Sequence, residues 1–201
     1  MEYDLRYDAK SKGMVFKQQP EHVTALLQLE LEQTNTLISE LMNLAAAVPP
    51  KASPETFNKD LSKMIKKLYE SGVALFKQGK YTESAKQFSI ALEIANRRSK
   101  FEAFQGTLQE ISLLLMSRAD AHLKCKEYLK AFNDADMLIS MMVCTPDNFL
   151  RRGVANYFLA NYEDARADYQ RGLAFDEKNE RLQKELDTCL ARILEENGDH
   201  L

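Results

Sequence analysis

Apolar residues along most of this chain recur at the spacing of an amphipathic helix, in pairs of short stripes separated by a turn. Leu68, Gly72, Leu75 and Phe76 form one stripe, Gly79 ends it, and Tyr81, Ala85, Phe88, Ala91 and Leu92 form the next. The pattern returns with Leu114, Ser117, Ala119, Ala121 and Leu123, followed by Tyr128, Ala131, Ala135, Leu138 and Ile139. It returns once more with Leu150, Gly153, Val154 and Tyr157, a turn at Asn161, and then Tyr162, Ala165, Tyr169, Gly172 and Leu173. Small residues at Gly72, Ser84 and Ala91 predict helix axes that approach closely. The first residues read differently. Tyr3, Leu5 and Tyr7 alternate with charges, Ala9 to Gly13 reads as a turn, and Met14, Val15 and Phe16 resume an apolar strand, which predicts a short β-hairpin. A helix is predicted over residues 21–48, with Val23, Leu26, Leu27, Leu31, Thr34, Ile38, Leu41, Met42 and Ala45 on one face and a break near Gln33 to Thr36. A hairpin alone is marginal in water, so either its own chain or a partner must cover it. Pro49, Pro50 and Pro54 mark the border that follows.

The stripes carry a spaced echo. A small residue followed by a Tyr-x-x-Ala step occurs at Ala119/Tyr128/Ala131 and again, 34 residues on, at Gly153/Tyr162/Ala165. A third copy, Gly72/Tyr81/Ser84, lies 47 residues before the first of these, which leaves about 13 extra residues in that connection. A 34-residue period of helix-turn-helix units is that of the tetratricopeptide repeat (TPR), and about three units are needed for a stable stack. The expected fold is therefore mainly α: a three-repeat TPR helical solenoid with a C-terminal capping helix, preceded by the hairpin and helix. The N-terminal segment is placed at residues 1–57 and the TPR domain at 58–201. Within it the repeats fall at about 62–96, 106–143 and 146–178, and the cap at about 179–197. Such a unit builds a groove for a partner's peptide more readily than an active site.

Composition narrows the function classes. The chain has 201 residues, 45% hydrophobic, and a formal charge of -3. Residues 61–100 are basic in balance and 161–201 acidic, as solvated helix faces often are. The net acidity and the lack of a basic stripe interleaved with aromatics argue against nucleic acid. The start, MEYDLRYDAK, is charged where a signal peptide would be apolar, and no run approaches the ~20 apolar residues of a membrane span. Cys125, Cys144 and Cys189 lack zinc or disulfide spacing, so free thiols and a reducing compartment are expected. His22, His122 and His200 have no nucleophile or ligand pattern beside them, and no Gly-rich phosphate loop exists. Glu195, Glu196, Asp134 and Asp136 read as polar helix faces. No enzyme activity, cofactor or metal is expected.

The runs SKMIKKLYESG (62–72), FEAFQGTLQE (101–110), PDNFLRRG (146–153) and DARADYQRGLAF (164–175) resemble the small TPR subunit of the fungal Sec complex, which serves post-translational translocation into the endoplasmic reticulum. The likeness covers nearly the whole chain in order. It implies a non-enzymatic adaptor on the cytosolic face of that membrane, peripheral, with no span of its own and tethered by a membrane-anchored Sec-complex subunit. It also implies docking of heat-shock 70 class chaperones with their precursor cargo, by a C-terminal tail or a folded surface. The docking edge for the membrane-anchored partner would be Tyr3, Leu5, Tyr7, Val15 and Phe16. The other readings are a cytosolic TPR co-chaperone, or a structural subunit whose groove holds a partner's own chain.

Chaperone-binding TPR domains grip the terminal Asp of an EEVD tail with a clamp of Lys and Asn side chains and one Arg. The resemblance lays those positions on Tyr69, Val73, Ser117, Asp147 and Arg151, of which only Arg151 matches. Its guanidinium suits a carboxylate, Ser117 can donate one hydrogen bond, and Asp147 has the wrong sign. Helical spacing puts Lys66, Tyr69, Val73 and Lys77 on the inner face of the first repeat, Leu113, Ser117, Asp120 and Lys124 on the second, and Asp147, Arg151 and Val154 on the third. The candidate peptide-binding residues are thus Arg151, Ser117, Lys66, Lys124, Tyr69 and Asp147. Asp147 and Arg151 also have the i, i+4 spacing of a surface ion pair.

Overall fold

A computed structural model describes residues 4–17, 25–43, 57–98 and 104–198. The chain divides into two compact units, Met1–Phe57 with Arg98–Phe104, and Asn58–Arg97 with Gln105–Leu201. Tyr3, Val23, Ala45, His22, His200 and the prolines at 49, 50 and 54 lie outside the described residues.

In the first unit β1 (Leu5–Asp8) and β2 (Gly13–Phe16) pair antiparallel, with Leu5 opposite Phe16 and Tyr7 opposite Met14. Asp8 holds the turn by accepting from the backbone N–H of Ser11 at 3.0 Å and from its hydroxyl at 2.7 Å. The helix α1 (Ala25–Asn43) packs on β2 and runs straight through Gln33 to Thr36, where a break was expected. The hydroxyls of Thr34 and Thr36 turn back onto the carbonyls of Glu30 and Glu32, which leaves the ladder intact. Asn35, between them, accepts from Met14 N at 2.6 Å and donates to Met14 O at 3.1 Å. The polar run is therefore the join between helix and hairpin: a side-chain amide satisfies a strand's backbone groups as a third strand would. In the same unit the Arg98 guanidinium lies 4.0 Å over the Phe57 ring.

The second unit stacks helix pairs: α2 (Lys59–Lys77) with α3 (Tyr81–Asn96), α4 (Phe104–Lys124) with α5 (Tyr128–Ser140), α6 (Pro146–Phe158) with α7 (Tyr162–Phe175), then α8 (Glu180–Asn197). Asn58, Thr145 and Asn179 cap α2, α6 and α8 by accepting backbone N–H bonds, and Pro146 opens α6, where no N–H is needed. Each pair turns through one residue in the left-handed region, Gly79 (φ 77°), Lys126 (φ 60°) and Ala160 (φ 62°), spaced as the repeats are. Inside each pair a residue of the first helix meets the residue sixteen positions on. In the first and third pairs a glycine receives a ring: a Cβ built on Gly72 would stand 2.6 Å from Phe88, and one on Gly153 would stand 2.5 Å from Tyr169. In the middle pair the equivalents are Ala119 and Ala135, both fully buried.

Asp134 is not on a polar face: it is 4% exposed, and Arg118 holds both its oxygens, with Nε at 2.8 Å. One repeat on, Arg152 grips Asp168 in the same way and also donates to Asp136 at 2.7 Å, the first bond closing α6 on α7 and the second tying α6 to α5. Burial works against the charge of Arg152, but its interactions with Asp168 and Asp136 together offset this and hold its pKa above the usual guanidinium range.

His122 is buried on α4, with Nδ1 2.9 Å from Glu127 Oε2 but without a well-aligned hydrogen bond. Burial holds its imidazole below the usual range, against the pull of Asp134 and Glu127 toward the charged form. The unfolded chain therefore binds this proton more readily. The His122 contribution to stability is full above the ordinary imidazole value of about 6.5 and declines as the pH falls below it. Urea unfolding near neutral and at mildly acidic pH is expected to show a smaller acid-side loss for His122→Gln than for the wild-type chain. An equal loss would assign the dependence elsewhere.

Candidate functional site

The first helices of the repeats and the start of α8 enclose a cavity of about 390 Å³. Phe76 from α2, Leu123 from α4, and Leu150 and Val154 from α6 supply its apolar wall. Lys124, Arg151 and Arg181 bring cations to it, and Asp120 and Asp147 bring acids. A smaller cavity of about 140 Å³ lies alongside, between Val73, Phe76, Lys77, Phe88, Ser117 and Asp120. Phe76 and Asp120 line both.

Arg151 is held from two sides. Its Nε and Nη2 donate to the two oxygens of Asp120 at 2.7 and 2.9 Å, and Nη1 donates to Asn148 Oδ1 at 2.9 Å. Asn148 is buried and donates in turn to Val143 O, so the guanidinium plane is fixed from below. Asp147 takes no part, and the i, i+4 ion pair suggested by spacing is replaced by this cross-repeat pair. The reason is geometric: the Asp147 side chain is exposed at the start of α6, whereas Asp120 on α4 meets the fork of Arg151 edge to edge.

The remaining candidates are scattered differently. Lys124 and Asp147 line the larger cavity and Ser117 the smaller one, where its hydroxyl donates to Leu113 O at 2.9 Å along its own helix. Lys66 lines neither; it is well exposed, 3.9 Å from Glu70. Tyr69 packs on the core of the first repeat, its ring centroid 5.8 Å from that of Phe88. Arg181 was not foreseen, because it stands outside the repeats. Its neighbours held the clue: Leu182, Leu186 and Cys189 form the buried stripe of α8, and Arg181 flanks the first of them. Lys124 and Arg181 form no ion pair among the described residues. In the first unit Leu5, Val15 and Phe16 are half-buried, while Tyr7 is 50% exposed with its hydroxyl 3.9 Å from the sulfur of the exposed Met42.

Among the described residues no helix is long and apolar enough to cross a membrane, and no His, Cys and carboxylate cluster could hold a metal ion. Three stacked helix pairs, a capping helix and a cavity walled by the first helices define a TPR solenoid. No protein-family model matches the chain. It is 34% identical over 197 residues to translocation protein SEC72 of Saccharomyces cerevisiae, a match covering 97% of this chain and 98% of that protein. The chain belongs to the family of that translocation protein. Consistent with this, it superposes on a chain of the cryo-EM structure of the S. cerevisiae Sec complex (Sec61 pore ring and Sec63 FN3 double mutant, class without Sec62). The TM-score is 0.77 at 32% identity, over 96% of this chain and 99% of that one. The TPR part alone matches the NMR structure of the second TPR domain of human RPAP3 in complex with HSP70 peptide SGPTIEEVD. There the TM-score is 0.54 at 23% identity, over 64% of this chain and 97% of that one, a likeness of fold.

Proposed function

We propose that this chain is a non-enzymatic adaptor subunit of the endoplasmic reticulum translocation machinery. It is held on the cytosolic face by a membrane-anchored Sec-complex subunit, and its groove receives the C-terminal tail of a heat-shock 70 class chaperone. The observation that carries the reading is the cavity itself: Lys124, Arg151 and Arg181 converge above an apolar wall of Phe76, Leu123, Leu150 and Val154. A tail ending in an acidic residue presents two carboxylates within a few ångströms, and cations on a hydrophobic floor suit both its charge and its preceding Val. Membership of the translocation-protein family supports the setting, and the fold shared with a TPR domain seen with an HSP70 peptide supports the ligand class. The face shared by Leu5, Tyr7 and Phe16, with Met42 beside Tyr7, supports attachment through the first unit.

The test titrates a synthetic peptide ending in Glu-Glu-Val-Asp against the full chain by calorimetry. Arg151→Ala and Arg181→Ala are each expected to weaken binding about tenfold, as truncating one partner of a charge-assisted contact does. Affinity unchanged in Arg151→Ala would refute the tail-receptor reading. Attachment is read separately: the full chain is expected to be recovered with membrane proteins from a detergent extract, and Tyr7→Asp to lose them.

A further inference from the structure

Asp120 already occupies the side of Arg151 that a ligand carboxylate would use. Its two oxygens meet Nε and Nη2, one of the edges by which arginine receives a carboxylate bidentately, and Nη1 gives one of its hydrogens to Asn148. The pair is only partly shielded: the Arg151 side chain is 17% exposed and that of Asp120 41%, so water and ligand reach the acid more readily than the base. One turn beyond Asp120 on the same helix stands Lys124, which also lines the cavity and has no ion-pair partner among the described residues. An acid placed four residues before a lysine is in the favourable order for a helical pair. Asp120 therefore has two cations within reach of one helix position and is bound to the first.

We propose that Asp120 is a built-in competitor for the Arg151 fork, which makes the groove selective for ligands whose carboxylate can displace it onto Lys124. The inference rests on the tail-receptor reading of this groove. The displaced acid keeps a counter-charge, so opening the fork costs less than exposing a lone carboxylate would. A weak or monodentate anion does not compensate for the lost bidentate pair, whereas a terminal Asp, with a main-chain and a side-chain carboxylate, offers a replacement for the fork and a second contact for Arg181. A latch of this kind lowers apparent affinity by the fraction of time the fork stands open. A fork open on the order of one-tenth of the time raises the apparent Kd about tenfold.

The experiment is a double-mutant cycle on the full chain with the same Glu-Glu-Val-Asp peptide. Asp120→Asn keeps the shape and removes the charge; it is expected to tighten binding about tenfold in the wild-type background and by less than about twofold in Arg151→Ala. Equal tightening in both backgrounds would overturn the proposal, because Asp120 would then act on the tail by simple repulsion. Unchanged or weaker binding by Asp120→Asn, with Arg151→Ala still impaired, would also overturn it and leave the tail-receptor reading standing. If Arg151→Ala binds as the wild-type chain does, that underlying reading fails and the latch fails with it.

Discussion

Asp168→Ala is expected to cost about 3–5 kcal/mol of folding stability, enough to unfold much of the solenoid at body temperature in a protein of ordinary stability. Asp168 is 1% exposed and accepts from Arg152 through both oxygens, from Asn156 at 3.1 Å and from Arg171 at 3.3 Å. Removing the carboxylate leaves a guanidinium whose side chain is only 14% exposed with the half-exposed Asp136, at 2.7 Å, as its counter-charge, and takes the acceptor from the buried Asn156 amide; these lost bonds carry most of the cost. The double replacement Arg152→Met with Asp168→Leu is expected to recover part of it, since the buried charge is gone and the bonds still lost are those to the Asn156 amide, Arg171 and the half-exposed Asp136. Urea unfolding of the two variants beside the wild-type chain reads the result. A single variant within about 1 kcal/mol of wild type would show that the pair is far better solvated than its burial implies.

Tyr169→Ala is expected to cost a similar ~3–5 kcal/mol through the cavity it leaves, because the ring is fully buried against α6 and α8. Gly153→Ala attacks the same contact from the other side. Its methyl would stand 2.5 Å from the ring, so the helices must part, at ~1–3 kcal/mol. The two are expected not to add. Once the ring is gone the methyl has room, and the double variant should be less destabilised than the sum of its parts by roughly 0.5–3 kcal/mol. Strict additivity would mean that glycine is needed there for some reason other than the approach of Tyr169.

The same sixteen-residue relation that joins Gly153 to Tyr169 joins Arg118 to Asp134 and Arg152 to Asp168, and the two ion pairs are themselves 34 residues apart. The pairs were therefore written in the repeat, yet they read as surface because charged residues on helices usually are. Burial came from the neighbouring helix, which closes over the carboxylate and cannot be inferred from one stripe. Asn35 is a parallel case. Its polar flanks suggested a broken helix, and only the presence of β2 explains why a helix keeps an amide aimed at a backbone.

The candidate groove divides along the same line. Positions on the inner face followed from helical periodicity, and three of the six candidates, Lys124, Asp147 and Arg151, do line the larger cavity. What spacing could not supply was the partner of Arg151. Asp147 was near in sequence, but Asp120, 31 residues away, is near in space. Tyr69, placed at a clamp position, is taken up by the core, and Lys66 lies out on the helix surface.

By itself the sequence determined the architecture: a hairpin and helix, then three helix pairs at a 34-residue period with one longer connection. Local spacing is enough for that, since a stripe of apolar residues commits a helix to one buried face and the turn residues commit its ends. The tertiary structure alone decided which charges are spent on the fold and which remain for a ligand. Ion pairs form between helices at distances set by how one repeat is offset on the next, and that offset is a property of the packed stack rather than of any segment in it.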